Sequence, residues 1–182
     1  MVVNTDVVAV NAVELVSLKL AKKHLRLDVD YNEEDELVEV AIASAISQVQ
    51  MYTERIINKS HVFLFVNNPE SFVVERFSLN DSVEEVEIVE EGVDSITLPI
   101  SSYSQVKRGP EHYEIVFRDV ELRPGQSIKV VLSVGYDSED LPGPIKSAIL
   151  LMIGDSFEKR EDRSQGNNTA VNNLLRPYRK WL

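Results

Sequence analysis

The chain has 182 residues, 43% of them hydrophobic, with six Phe, six Tyr and one Trp; that suffices for a packed core and speaks against disorder. It contains no cysteine, which excludes disulfides, thiolate metal sites and a cysteine nucleophile. Its formal net charge is -11, and an acidic surface repels phosphate backbones, so binding of nucleic acid along the whole chain is not expected.

The charge is unevenly spread. Residues 1–58 carry five basic and ten acidic side chains, residues 59–140 seven and sixteen, and residues 141–182 seven and four, so only the last segment is positive. The opening "MVVNTDVVAV" has neither the basic start nor the long apolar run of a signal peptide. No stretch reaches the ~18 apolar residues that span a bilayer. The expectation is a soluble protein of a reducing cytoplasm, with no membrane partner.

The first helical signal is "VSLKLAKKHLRL". Ser17 is placed to cap a short helix over 18–25, with Leu18, Ala21 and Leu25 on one face. A longer helix is predicted from about Asn32 to Ile57, with Leu37, Ala41, Ser44, Ala45, Tyr52 and Ile56 at helical spacing. Acids crowd its first turns, where the helix dipole favours them. From Ser60 the period changes to short runs rich in Val, Ile and Phe: "HVFLFV", "SFVVERF", "VEEVEIVEE", "SITLPI", "YEIVF" and "QSIKVVLSVGY". Turn residues in "NNPES", "EEGVD", "KRGP" and "RPGQ" separate them. Val83, Val86 and Ile88 alternate with acids, which suggests an edge strand or one with an exposed face. Helical character returns in "LPGPIKSAILLMIGDSFEKRED", with Ile145, Ala148, Ile149, Met152 and Phe157 as its apolar side, and "TAVNNLL" adds a turn or two before Pro177.

The order helices, strands, helix, tail predicts an α+β protein: a small helical core with an inserted antiparallel β module and an extended C-terminal arm. The expected divisions are 1–58 and 137–173 for the two helical parts of the core, 59–136 for the β module, and 174–182 for a docking arm.

Catalytic and metal chemistry find little support. Asp28, Asp30, Asn32, Glu36 and Glu39 fall at positions 1, 3, 5, 9 and 12 of a calcium-binding EF-hand loop. Glu33 stands where that loop needs glycine for its sharp turn, so an acid-rich helix start is the better account. His24, His61 and His112 have no ligand spacing, and His112 and Tyr113, adjacent in a strand, face opposite ways. No nucleophile elbow, P-loop or dinucleotide fingerprint is present. No catalytic residue, metal or cofactor is expected.

The ending "NNLLRPYRKWL" is the unusual stretch. It holds the sole tryptophan, and no acid follows Asp162. Aromatics and arginine anchor protein interfaces, so Arg176, Tyr178, Arg179, Lys180 and Trp181 are the expected partner-binding residues. Seating Trp181 would bury ~200 Å² and contribute roughly 5 kcal/mol before ordering costs, whereas an exposed ion pair adds only ~0–1 kcal/mol. The bland alternative is a tail packed back on its own core. An arm made for a partner predicts that removing 174–182 leaves the fold largely intact.

Three blocks carry a family resemblance. "VSLKLAKKHLRLDVDYNEEDELVEVAIASAISQVQMYTERII" resembles the opening of bacteriophage head–tail connector proteins: a short helix with an "HLR"-like turn, an acidic turn, and an Ala-rich helix closing near "YTxR". "VVLSVGYDSEDLPGPIKSAILLMIGDSFEKRED" resembles their second block, and "LLRPYRKW" is similar to their common ending. The resemblance implies a structural virion protein, not an enzyme, forming a ring of about twelve copies by cyclic closure. Its implied partners are the portal protein above, neighbouring copies, and a tail-side stopper or tail completion protein, with DNA passing through unbound. It places the protein at the head–tail interface of the virion, and in the host cytoplasm during assembly. The alternatives are another joining component, such as a stopper or tail terminator, or a nucleic-acid-binding packaging accessory protein.

Overall fold

The computed structural model describes residues 2–9, 14–30, 32–158 and 168–180. They form an α+β fold, 34% helical and 32% strand, with all strand pairing antiparallel. The residues fall into two compact units: those of 13–57 with 136–182, and those of 1–12 with 58–135.

The first unit is helical. Helix α1, Leu18–His24, starts where Ser17 Oγ accepts from Leu20 N at 3.3 Å. Helix α2 runs Asp35–Thr53, shorter than the sequence pattern suggests. It stops because Glu54 takes a left-handed conformation (φ 54), which breaks the helical ladder. Its apolar stripe is also phased differently from the expectation. Val38, Ala41, Ala45 and Val49 are buried, while Leu37 and Ser44 are exposed. Steps of three, four and four keep those buried residues on one face, whereas Leu37 lies about 100° round from Val38. Helix α3, Gly143–Glu158, buries Ile145, Ala148, Ile149 and Ile153, with Met152 and Phe157 partly covered. Helix α4, Thr169–Leu175, contributes Val171 and Leu175 to the same core. Each large aliphatic side chain fully buried there contributes about 1.5–3 kcal/mol.

A buried cation fixes the turn between α1 and α2. Lys22 is 2% exposed; its Nζ donates to Asp35 Oδ1 at 2.6 Å and to Val29 O at 2.9 Å. The acidic run thus supplies a counter-charge to a lysine, and Asp35 sits in the first turn of α2, where a carboxylate is favoured.

The second unit holds two sheets. Strand β1 is Val2–Ala9, β2 Ser60–Val66, β3 Phe72–Glu75, β4 Ser82–Glu90, β5 Val93–Thr97, β6 Tyr103–Lys107, β7 His112–Phe117 and β8 Gln126–Val134. One sheet has the order β1-β2-β8-β4-β5, the other β3-β7-β6. Alternation places Val62, Leu64 and Val66 of β2, Phe72 and Val74 of β3, and Tyr113, Ile115 and Phe117 of β7 inside. Two strands escape the sequence reading. Residues 2–9 were assigned to the helical part but pair with β2, from Val2 opposite Val66 to Ala9 opposite Ser60. The polar "YSQVK" forms β6, an edge strand with little of the apolar content that signals one. Acid-flanked β4 lies inside its sheet between β8 and β5, and Glu87 on it pairs with Lys129 at 2.9 Å.

The two ends of the segment 58–135 are tied. In the helical unit, Tyr136 N donates to Ile57 O at 2.8 Å. In the β unit, the fully buried Ser78 accepts through its Oγ from Gly135 N at 2.9 Å and from Asn80 N at 3.0 Å. Ser78 Oγ donates in turn to Asp81 Oδ1 at 2.6 Å, and Asp81 also accepts from Phe77 N and Ser78 N. Burial pushes the Asp81 carboxyl above the usual range despite these hydrogen bonds.

Candidate functional site

The segment predicted to dock, 174–182, begins in the last turn of α4. Asn168 caps it, its Oδ1 accepting from Ala170 N at 3.1 Å and Val171 N at 3.3 Å, while its Nδ2 donates to Asp155 of α3. The helix tightens into a single 3-10 turn at Arg176–Tyr178 around Pro177, which has no N–H to continue the ladder. Leu175 is 1% exposed and belongs to the helical core, with Leu174 and Tyr178 packed against it.

Beyond the turn, the backbone is held to the end of α2. Arg55, 6% exposed, donates from Nε to Tyr178 O at 2.8 Å. Lys180 N donates to Thr53 O at 2.9 Å, satisfying one of the carbonyls that every helix end leaves over. The Arg179 guanidinium lies 3.7 Å from Glu54 Oε1, and its carbon sits 5.7 Å from the centroid of the Tyr52 ring. Tyr52 Oη in turn donates to Asn172 O at 3.5 Å. So "YTER", residues 52–55, and "RPYRK", residues 176–180, meet as one latch.

This corrects the expectation of an extended, self-sufficient arm. Residues 174–180 pack on their own unit, and removing them takes Leu175 out of the core. Of the five predicted docking residues, the structure places Tyr178 half-buried in the latch and Arg179 over Tyr52. Lys180 is tied through its backbone, Arg176 is exposed, and Trp181 lies outside the described residues. The residue that sequence reasoning missed is Arg55. The "YTER" and "LLRPYRK" stretches each stood out separately, but nothing local signals a contact across 123 positions.

The histidines serve as ordinary surface groups. His61 Nε2 is 2.9 Å from Glu84 Oε2, and both His24 and His112 are exposed. Among the described residues, no three His, Asp or Glu side chains converge to hold a metal ion, and no helix is long and apolar enough to cross a membrane.

The described residues combine a helical core, a β insertion and an aromatic–basic latch. The chain belongs to the phage gp6-like head–tail connector family, which matches it over residues 16–116, more than half its length. A search of curated proteins finds no match. Among solved structures, it is similar to a chain in the neck of an empty gene transfer agent (GTA) particle computed with C6 symmetry. That likeness has a TM-score of 0.73 and 17% identity and covers 97% of this chain and 96% of that one. It is also similar, over the same shares, to chains in the virion of the native GTA particle (TM-score 0.68, 16% identity) and in its neck computed with C12 symmetry (0.68, 14%). At such identities these likenesses establish the fold.

Proposed function

We propose that this protein is a structural head–tail connector: copies form a ring below the portal and join the DNA-filled head to the tail. The observation that carries the reading is the family match over residues 16–116, supported by a fold shared along nearly the whole chain with neck components of phage-like particles. The role is architectural, not catalytic. The ring is cyclic, with different faces of neighbouring copies in contact, and matched to a portal it holds about twelve copies. The net charge of -11 suits a channel that passes DNA without retaining it.

Docking on the portal or on a neighbouring copy falls to Arg176, Tyr178, Arg179, Lys180 and Trp181, with the latch as their mount. A tail-side stopper or completion protein is the partner at the other end. The test is native mass spectrometry and electron microscopy of the protein mixed with its portal. A closed ring on the portal is expected; one or two bound copies and never a ring would sink the reading.

A further inference from the structure

Among the described residues each sheet of the β unit has two edge strands, and in the three-stranded sheet these edges complement each other. Its order is β3-β7-β6 with both pairings antiparallel, so β3 and β6 run in the same sense at opposite edges. An edge strand presents a row of backbone donors and acceptors ready to pair with another chain. Rotation about an axis along the strands brings β6 of one copy beside β3 of the next, both pointing the same way. That contact joins different surfaces of the two copies, as a ring requires.

Side chains select the register. Val73 and Val106 both lie opposite Glu114 of β7 and therefore share a face of the sheet, turned away from buried Tyr113 and Ile115. Both are exposed, Val73 at 57% and Val106 at 37%, large apolar residues on a face where polar ones are expected. Two residues on, Glu75 and Arg108 are on the same face and exposed, the Arg108 guanidinium donating to Glu114 of β7 in its own chain; Arg108 N donates to His112 O at 3.0 Å, extending the ladder past β6. A single parallel register sets Val106 beside Val73 and Arg108 beside Glu75. The other sheet also exposes apolar residues at its edges, Val7 and Val8 on β1 and Val93 and Ile96 on β5, but its charges oppose pairing. Its β5 edge is flanked by Glu90, Glu91 and Asp94, and the opposite edge, β1, carries Asp6 and no cation.

We infer that neighbouring copies join by pairing β6 of one with β3 of the next, in parallel, with Val106 against Val73. The inference rests on the ring reading above and adds the surface that builds the ring. Adjacent strands stand about 4.8 Å apart, within the span a disulfide bridges. The chain lacks cysteine, so introduced thiols have no competitor.

The experiment oxidises rings of the full chain carrying V73C and V106C together. The double variant is expected to give a ladder of covalent multimers on a non-reducing gel. Either single variant alone is expected to remain uncrosslinked, and the two mixed are expected to stop at dimers. Crosslinking of V73C alone or V106C alone would overturn the proposal, because it marks a two-fold contact. Wild-type rings seen by native mass spectrometry without crosslinks in the double variant would also overturn it, while leaving the ring reading intact; absence of rings in the wild type defeats both. Amide exchange in the wild type is the check that needs no substitution. Slower exchange in Phe72–Glu75 and Tyr103–Arg108 on assembly is expected, and unchanged exchange in both would refute the pairing.

Discussion

Leu175→Ala tests whether the tail belongs to the core. Leu175 is 1% exposed and packs in the cluster that also holds Val49, Ile149 and Val171. Truncating a leucine so enclosed removes its transfer free energy and leaves a cavity, a loss of about 2–5 kcal/mol. For a chain of this size 1 kcal/mol is worth about 2–4 °C, so a mid-range loss of ~3 kcal/mol lowers the melting temperature by roughly 6–12 °C. Thermal melts followed by circular dichroism measure this directly. Deleting 174–182 is expected to do more, since it also removes the Arg55–Tyr178, Thr53–Lys180 and Glu54–Arg179 contacts. If Leu175→Ala melts within ~1 °C of wild type, the packing described for α4 is wrong and the free-arm expectation returns.

Other substitutions probe the remaining joints. Arg55→Met removes the donor to Tyr178 O in a buried setting and is expected to cost about 1.5–3 kcal/mol, read from denaturant melts. Ser78→Ala leaves Gly135 N and Asn80 N without their acceptor and is expected to cost about 1–3 kcal/mol, with faster amide exchange at Gly135. In a carboxyl-detected NMR titration, Asp81 is expected above the usual carboxylate range and Glu87 below it. The causes are burial for Asp81, and first the Ser95 hydroxyl, then Lys129, for Glu87. The signs are opposite: folded Asp81 binds its proton more tightly than the unfolded chain does, so its contribution to stability falls as pH rises from the ordinary value through the raised one. Folded Glu87 binds its proton less tightly, so its contribution is present above the ordinary value and is lost as pH falls through the lowered one. Trp181→Ala is expected to leave the melt unchanged and to weaken portal capture by about 2–4 kcal/mol; a lowered melt with unchanged capture would remove Trp181 from the docking surface.

What could be read from the sequence follows from how local each signal is. The α+β class was legible because both periods, 3.6 and 2, are written in contiguous stretches. Ser17 as a cap needed only its own neighbours. The buried face of α2 was harder. Leu37 and Val38 are adjacent and both apolar, and only the packing of Val38 against the core decides which one turns inward. Strand β1 has Asn4, Thr5 and Asp6 at its centre and becomes a strand through pairing with β2, far away in the chain. Lys22 looks like any surface lysine until Asp35 is brought to it by the turn between α1 and α2. Arg55 is the sharpest case. Its meaning depends on Tyr178, and neither stretch by itself signals that the two touch.

Core packing and partner docking looked like rival accounts of the same nine residues, and the latch removes the rivalry. Fixing a residue's backbone costs about 1–2 kcal/mol of conformational entropy. A free arm docking through residues 174–182 would meet that cost at the moment of binding, about 9–18 kcal/mol over nine residues, more than the roughly 5 kcal/mol one seated tryptophan contributes. Here the chain is held as far as Lys180 N by Thr53 O, so seven of the nine residues, 174–180, are ordered in folding, and about 7–14 kcal/mol of ordering is already met. The same arrangement changes the electrostatics. Arg179 faces Glu54 and Tyr52 within its own chain, which leaves Arg176 as the exposed cation of the turn at the start of the segment. On the docking proposal, affinity then rests on apolar burial, and portal binding should weaken only modestly as salt rises from 0.05 to 0.5 M, a range over which screening strips exposed ion pairs. A steep salt dependence would shift the binding energy to the cations, and Arg176→Ala would then have to cost more than Trp181→Ala.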